Sequence, residues 1–279
     1  MILVTGATGN VGRCVVAQAR ESGAAVRALI RTPDKAGVLP GHVEIVQGDL
    51  SVPGTLPDAL DGVTAAFLFA VPGSAPGVIE AARAKGVRRI VFLSSAAVRD
   101  DAGQQPDAIA AFHADIEHAL EGSGLEWTFV RPGSLAVNAL QWAPQVRGGT
   151  VFAPYPGATT APVHERDVAA VAVRALTSDE HIGAKLEVTG PQSLSQADQA
   201  DVIGEVIGRE VRIAEVPPAA ARQQMVQYIP EPVADALLAG WERSVGRAAT
   251  IRPTVQKVTG RAPRTFREWV SDHAAEFLG

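Results

Sequence analysis

Met1-Ile-Leu-Val-Thr-Gly-Ala-Thr-Gly-Asn-Val-Gly12 opens the chain and decides its fold. The apolar run Ile2 to Val4 suits a strand buried on both faces, as in a parallel sheet. Gly6, Gly9 and Gly12 follow at three-residue spacing, which allows a tight turn, a close approach of backbone to a pyrophosphate, and close helix–strand packing. Behind them Val11, Val15, Val16 and Ala19 recur at helical spacing. Three glycines alone are a weak signal; the strand before them and the helix after them give the pattern its meaning. An anionic phosphate is favoured at the free N–H groups of such a helix start. On this reading Gly6, Thr8, Gly9, Asn10, Val11 and Gly12 hold a dinucleotide.

Composition bounds the rest. With 279 residues, 47% hydrophobic and 20% charged, the chain is expected to be soluble and globular, with a substantial core. A net charge of -5 argues against nucleic acid as the main partner. No run of about 18 apolar residues is present and the N-terminus enters a strand directly, so neither a membrane span nor a secretory signal is expected. The expected setting is cytoplasmic, as a monomer or homodimer with a small-molecule substrate. Cys14 is the only cysteine, which excludes an intramolecular disulfide, and its place beside Val15 and Val16 suits a small buried hydrophobe. No metal-ligand spacing occurs, and no Gly-x-Ser-x-Gly elbow points to a hydrolase.

Outward from the glycine turn, strands and helices alternate. The first helix closes at Gly23 and a second strand, Ala25 to Ile30, ends in Arg31. In dinucleotide folds this strand end lies beside the adenine ribose, where an acid would accept from a 2′-OH and an arginine would meet a 2′-phosphate. Arg31, with Lys35 nearby, favours NADPH. A third strand, Val43 to Val46, leads to Asp49 and Leu50, which border the adenine. A fourth, Val63 to Ala70, floors the cleft with Ala70 and Val71. The fifth, Arg89 to Leu93, ends at Ser94 and Ser95. A helix from Gln105 to Leu120 carries His113 and Glu117 on one face, and a sixth strand, Glu126 to Val130, runs into Arg131-Pro132-Gly133-Ser134 at the nicotinamide end. The alternation predicts parallel pairing with right-handed crossovers.

From residue 134 to 162 prolines and glycines break the chain into loops that border a substrate cleft. Trp142 and Tyr155 there either stack on an aromatic ligand or pack a lobe, and His164 stands near the cleft just before a helix. Lys185 to Val188 gives the last sheet strand. Amphipathic helices and the strand Val211 to Val216 follow. The predicted architecture is α/β: a Rossmann-type doubly wound parallel sheet over residues 1–190, which includes the loop region 134–162, and a small C-terminal α+β substrate-binding lobe over 191–279.

Thr5-Gly-Ala-Thr-Gly-Asn-Val-Gly12, Gly48-Asp-Leu50, the Ser94-Ser95 strand end, Ser123-Gly-Leu-Glu-Trp-Thr-Phe-Val-Arg-Pro-Gly133 and Val258-Thr-Gly-Arg-Ala-Pro-Arg-Thr-Phe266 together resemble the NmrA-like group of atypical short-chain dehydrogenases. That group includes quinone oxidoreductase-like enzymes and redox-sensing regulators, and the resemblance implies NADPH as ligand with a variable lobe closing over the nicotinamide. The wider superfamily uses a Tyr-x-x-x-Lys helix, which this chain lacks. His113 stands where members often carry lysine. It either donates a proton, hydrogen-bonds the cofactor ribose, or packs the helix beside Glu117, and Ser95 either polarises a carbonyl or satisfies backbone. The implied activity is NADPH-dependent hydride transfer to a quinone, enone or carbonyl of a small aromatic substrate. The alternatives are an NADP(H)-binding redox sensor without turnover and an isomerase using the cofactor transiently.

A guanidinium–phosphate contact is lost when the 2′-phosphate is absent, so Arg31 makes a specific prediction. Calorimetry should find NADPH bound more tightly than NADH, with most of the difference erased by Arg31→Ala. Equal affinities in the unmodified protein would remove Arg31 from cofactor selection.

Overall fold

The opening apolar run forms strand β1 (Ile2–Val4), with all three side chains buried. The computed structural model describes every residue except His42 and Ala70. Strands β2 (Val26–Ile30), β3 (Glu44–Gln47), β4 (Ala65–Leu68), β5 (Arg89–Leu93) and β6 (Glu126–Pro132) follow. Next come β7 (Thr150–Ala153), β8 (Thr159–Thr160), β9 (Lys185–Val188), β10 (Leu194–Ser195) and β11 (Arg212–Glu215). Seven of these form one sheet in the order β3-β2-β1-β4-β5-β6-β9, and every neighbouring pair is parallel. The order reverses at β1, so a crevice opens between the carboxyl ends of β1 and β4, the place where such sheets bind ligands. The predicted fourth strand, Val63 to Ala70, is shorter than expected, and Ala70 lies outside the described residues.

Helices α1 (Asn10–Glu21), α2 (Leu56–Ala59), α3 (Ala75–Ala84), α4 (Ala108–Glu121), α5 (Ala143–Arg147) and α6 (Glu165–Thr177) make the crossovers. Two cores cover the two faces of the sheet. Val11, Val15, Val16 and Ala19 of α1 join Val168, Ala169, Val171 and Ala172 of α6 against one face. Leu56, Val78, Ala82, Ile116 and Leu120, from α2, α3 and α4, pack on the other. Both faces are therefore dry, which is why the strands read as continuous apolar runs.

The remainder of the chain forms α7 (Gln196–Ile207), α8 (Pro218–Met225), α9 (Glu231–Ser244), α10 (Thr254–Thr259), α11 (Phe266–Asp272) and α12 (Ala274–Leu278). A third core joins two distant segments: Val137, Trp142, Val146 and Val151 pack with Ala200, Ile203, Phe266, Trp269 and Phe277. Strands β7 and β11 pair in parallel within it. The lobe thus draws on residues from both sides of α6. Among the described residues no helix is long and apolar enough to cross a membrane.

The lobe docks on the sheet domain at the first turn of α6. Glu165 is buried there, accepting from Trp269 Nε1 at 3.0 Å and lying 3.1 Å from His273 Nε2. His273 stacks on Trp269 at 4.5 Å between ring centroids, and its Nδ1 lies 2.8 Å from the Trp269 carbonyl. Asp272 accepts from Arg166 at 2.8 Å, and Asp167 pairs with Arg264. Burial opposes charge on His273, but its bond to Glu165 outweighs this and raises its pKa. Burial likewise opposes charge on Glu165, and the bonds from His164 and His273 hold its carboxyl well below the usual range.

A raised histidine pKa stabilises the fold fully below the unfolded value of about 6.5 and loses that contribution as pH climbs through the folded value. The depressed carboxyl works the other way, and its share is lost only under strongly acidic conditions. The thermal midpoint should therefore decline as pH rises above about 6.5, and His273→Gln should flatten that decline. An unchanged slope in the variant would show that His273 does not carry the docking contact.

Candidate functional site

The turn after β1 is built by three glycines with separable jobs. Gly6 has φ +58, a left-handed conformation that L side chains rarely adopt. Thr5 Oγ1 accepts from the Phe69 N–H at 2.7 Å, tying the turn to the end of β4. A Cβ on Gly12 would lie 2.1 Å from the Gly6 carbonyl oxygen, so α1 sits against the turn at a distance only glycine permits. A Cβ on Gly9 would meet only that oxygen, at 3.2 Å, a tight contact but a much looser one than at Gly12. The space a side chain at Gly9 would fill is space left for a ligand. Gly9 is the N-cap of α1, and no side chain caps this helix start. Free N–H groups and helix dipole together fit a pyrophosphate.

The turn opens into a cleft of about 410 Å³. Gly6, Thr8, Gly9, Asn10, Val11 and Gly12 line its middle, and Ile30, Arg31, Gly48, Asp49 and Leu50 line one end. Asp49 Oδ1 accepts from the Ser51 N–H at 2.8 Å and from Ser51 Oγ at 2.7 Å. Those bonds, with a smaller contribution from Arg31, hold its carboxyl below the usual range. The acid is occupied locally, and Arg31 faces the cleft without a salt bridge among the described residues. Lys35 stands exposed in a 3₁₀ turn, Pro33–Val38, away from the cleft wall. The other end is walled by Phe67, Phe69, Val71, Leu93, Leu135, Val137 and Asn138. A broader depression of about 500 Å³ over the start of α4 is wide open and carries no comparable convergence of groups.

The expected catalytic residues Ser95 and His113, and the expected cofactor contact Ser94, are not among the residues that line this cleft. Ser94 is buried and donates to Glu117 Oε1 at 2.5 Å. Arg131 binds the same carboxylate at 2.9 Å through Nε, and reaches Asp100 at 2.8 Å and 2.9 Å. Lys185 closes the network on Asp100 at 2.7 Å. Glu117 therefore pairs with Arg131, not with His113, because its side chain turns under β6 where a buried carboxylate needs a guanidinium. This network clamps β5, β6, β9 and α4 beneath the cleft. Ser95 Oγ accepts from the Ala97 N–H at 3.2 Å in a local turn. Pro132 accepts at its carbonyl from Ala96, and Gly133 donates to Val188, so both serve the strand ends rather than the cleft wall.

His113 packs edge-on to Phe112 at 4.9 Å and tilted against Phe92 at 6.1 Å. Its Nδ1 lies 2.7 Å from the Ile109 carbonyl, one turn back, and so carries the proton that bonds it. Burial lowers its pKa. At neutral pH the ring thus offers only the lone pair of Nε2, an acceptor and not a proton.

The three expected substrate contacts have other duties. His164 is 1% exposed, caps α6 and lies 3.3 Å from Asp272, enclosed under the lobe and out of reach of a ligand. Trp142 is 8% exposed within the third core, where it packs the lobe. Tyr155 has φ 54, and burial, with the Glu242 carboxylate of α9 nearby, raises its pKa. The sequence reading missed Phe69, Leu135, Val137 and Asn138. The first follows a strand and the rest form an apolar run with one amide, which no motif marks.

A parallel sheet reversing at β1, with an uncapped helix start and a glycine cradle at Gly9, is the geometry of a dinucleotide-binding domain. The sequence model of the NAD(P)H-binding family matches residues 6–179, and the chain belongs to that family. It is 43% identical over 285 residues to the (4-alkanoyl-5-oxo-2,5-dihydrofuran-3-yl)methyl phosphate reductase of Streptomyces griseus, across 99% of each chain. It is 36% identical over 286 residues to the NAD(P)H azoreductase of Xenophilus azovorans, again across 99% of each. The NADPH-dependent quinone oxidoreductase of Escherichia coli, solved with NADPH, superposes with a TM-score of 0.82 at 25% identity, covering 98% of this chain and 100% of that one. The chain is an NAD(P)H-dependent oxidoreductase, and its fold is theirs.

The two glycines can be told apart by substitution. Gly9→Val should keep the folded structure but abolish the thermal stabilisation given by NADPH. Gly12→Ala should lower the midpoint with or without cofactor, since it forces a backbone contact apart. A Gly9→Val protein that NADPH still stabilises would mean the dinucleotide lies elsewhere.

Proposed function

We propose that this chain is an NADPH-dependent reductase that transfers hydride to a conjugated acceptor, a quinone, enone or activated carbonyl of a small, aromatic or lactone-like molecule. The observation that carries the reading is the inner end of the cleft. Phe69, Val71, Leu93, Leu135 and Val137 make an apolar wall without an ionisable side chain, next to the pyrophosphate turn. A flat, weakly polar substrate suits such a wall. Quinones, azo compounds and 4-acyl-5-oxo-2,5-dihydrofurans, the compounds for which the relatives are named, share one property: each accepts hydride at one atom of a π system while the charge falls on an electronegative oxygen or nitrogen. Such acceptors need little acid assistance, which agrees with the missing Tyr-x-x-x-Lys helix and with a histidine that has no proton to give. Hydride chemistry then belongs to the cofactor, and the protein binds, orients and excludes water. The choice of NADPH rests on Arg31, whose neighbouring acid is turned toward Ser51.

With deuterium at one face of the nicotinamide C4, a panel of naphthoquinones, acylbutenolides and enones should give stereospecific loss of label. His113→Ala should lower kcat by less than about tenfold and leave its pH profile unchanged, since general acid catalysis is worth about 10²–10⁴-fold. A loss in that larger range would return the proton to His113. If nothing in the panel is reduced while a partner protein binds only one redox form, the redox-sensor reading replaces this one.

A further inference from the structure

The joint between lobe and sheet domain holds a side chain whose contacts fix its charge. His273, between α11 and α12, is 7% exposed, and each of its ring nitrogens faces an oxygen that brings no proton of its own. Nδ1 lies 2.8 Å from the Trp269 carbonyl, and Nε2 lies 3.1 Å from the Glu165 carboxylate. A neutral imidazole has one N–H and one lone pair, so it can satisfy only one of these acceptors. The imidazolium donates to both. Loss of the proton sets a ring lone pair against an oxygen lone pair inside a buried contact, where an unmade bond to a charged group costs most.

The groups around the ring favour that proton. From α6 come the Glu165 carboxylate and the ring of His164, with its centroid 6.1 Å from that of His273. From the lobe come Asp272, shared by His164 and Arg166, and Glu276 in α12. Asp167 is paired with Arg264, and Arg267 of α11 with Glu205 of α7. Cys14 of α1 stands beyond Glu165, and burial pushes its thiol up.

This joint is two residues from the cleft wall. Glu165 opens α6, His164 caps it, and Val163 before them is bridged to Leu135. Val163 donates to the Ser134 carbonyl at 2.8 Å and accepts from the Ala136 N–H at 2.9 Å. On the lobe side Trp269, stacked on His273, shares its core with Val137. Leu135 and Val137 line the apolar end of the cleft, and His273 does not line it. The wall is thus held from both sides of the His273–Glu165 contact, whereas the glycine turn is held by β1 and α1.

We propose that His273 is a proton-operated positioning residue for acceptor binding: its imidazolium, gripping Glu165 and the Trp269 carbonyl together, seats the lobe on α6 and keeps Leu135 and Val137 in the shape that receives a flat acceptor. That the wall receives an acceptor rests on the proposed reductase reading. The His273 proton takes no part in hydride transfer. The grip is complete below the unfolded histidine value of about 6.5 and is lost as pH climbs through the higher folded value. Acceptor affinity therefore falls on the alkaline side, while the glycine turn keeps its dinucleotide.

The test uses the full chain with saturating NADPH and 1,4-naphthoquinone, from about pH 6 to about pH 9. KM for the quinone should rise at least about fivefold across that range, the lower end of couplings between linked sites, and kcat and NADPH affinity should change less. His273→Gln should show the high KM already at the acidic end and no further rise, which separates the His273 proton from any on His164. Independently, hydrogen exchange in the 3₁₀ turn Ala136–Trp142 of the unmodified NADP⁺-loaded protein, corrected for intrinsic rates, should lose protection over the same pH step. A KM or a protection indifferent to pH in the unmodified protein would overturn the proposal, as would the same pH dependence persisting in His273→Gln. If the protein reduces no quinone yet the protection depends on pH through His273, the reductase reading falls and the latch stands.

Discussion

The approach of Gly12 to the carbonyl of Gly6 is the constraint on which the rest depends. Because no Cβ intervenes, the first turn of α1 closes directly onto the end of β1, and the helix leaves the sheet at one angle only. That angle lays Val15, Val16 and Ala19 on the sheet face and against α6. It also aims the uncapped end of α1 into the crevice where strand order reverses. Packing and the placing of the helix start are thus consequences of a single backbone contact, and Gly9, under a looser constraint than Gly12, lines the cleft beside it.

Strand and turn chemistry were legible because they are local. Buried parallel strands read as apolar runs, helix stops read as glycines, and the pyrophosphate turn lies within twelve consecutive residues. The placing of Arg31, Asp49 and Leu50 on the cleft was legible too, since they sit at strand ends whose position topology dictates. What the sequence could not disclose was the occupation of each polar group. Ser94 and His113 read as free functional groups because their neighbours in sequence are apolar or small. Their partners arrive from elsewhere or from the preceding turn: Glu117 from α4, Ile109 one turn back. His164 failed as a ligand candidate for the same reason, since Asp272 reaches it from the far end of the chain.

Asn138 escaped notice by the opposite route. A single amide in the run Leu135-Ala-Val-Asn-Ala-Leu140 looks like a surface interruption of a helix. Only the burial of both flanking residues, and the bridge from Leu135 to Val163, reveal that the interruption faces the cleft. The same segment seeds the lobe, with Val137 and Trp142 in its core, so the wall of the cleft and the foundation of the lobe are one piece of chain. Rigid scaffolding on one side of a turn leaves the other side free to carry function.

The Gln18 side chain of α1 donates to the Arg166 carbonyl of α6 at 2.9 Å, and Arg166 in turn grips Asp272 of the lobe. A chain of contacts therefore runs from α1, across the first turn of α6, to the last helices of the chain. Whatever holds the start of α1 also holds, through these two hydrogen bonds, the segment on which the lobe docks.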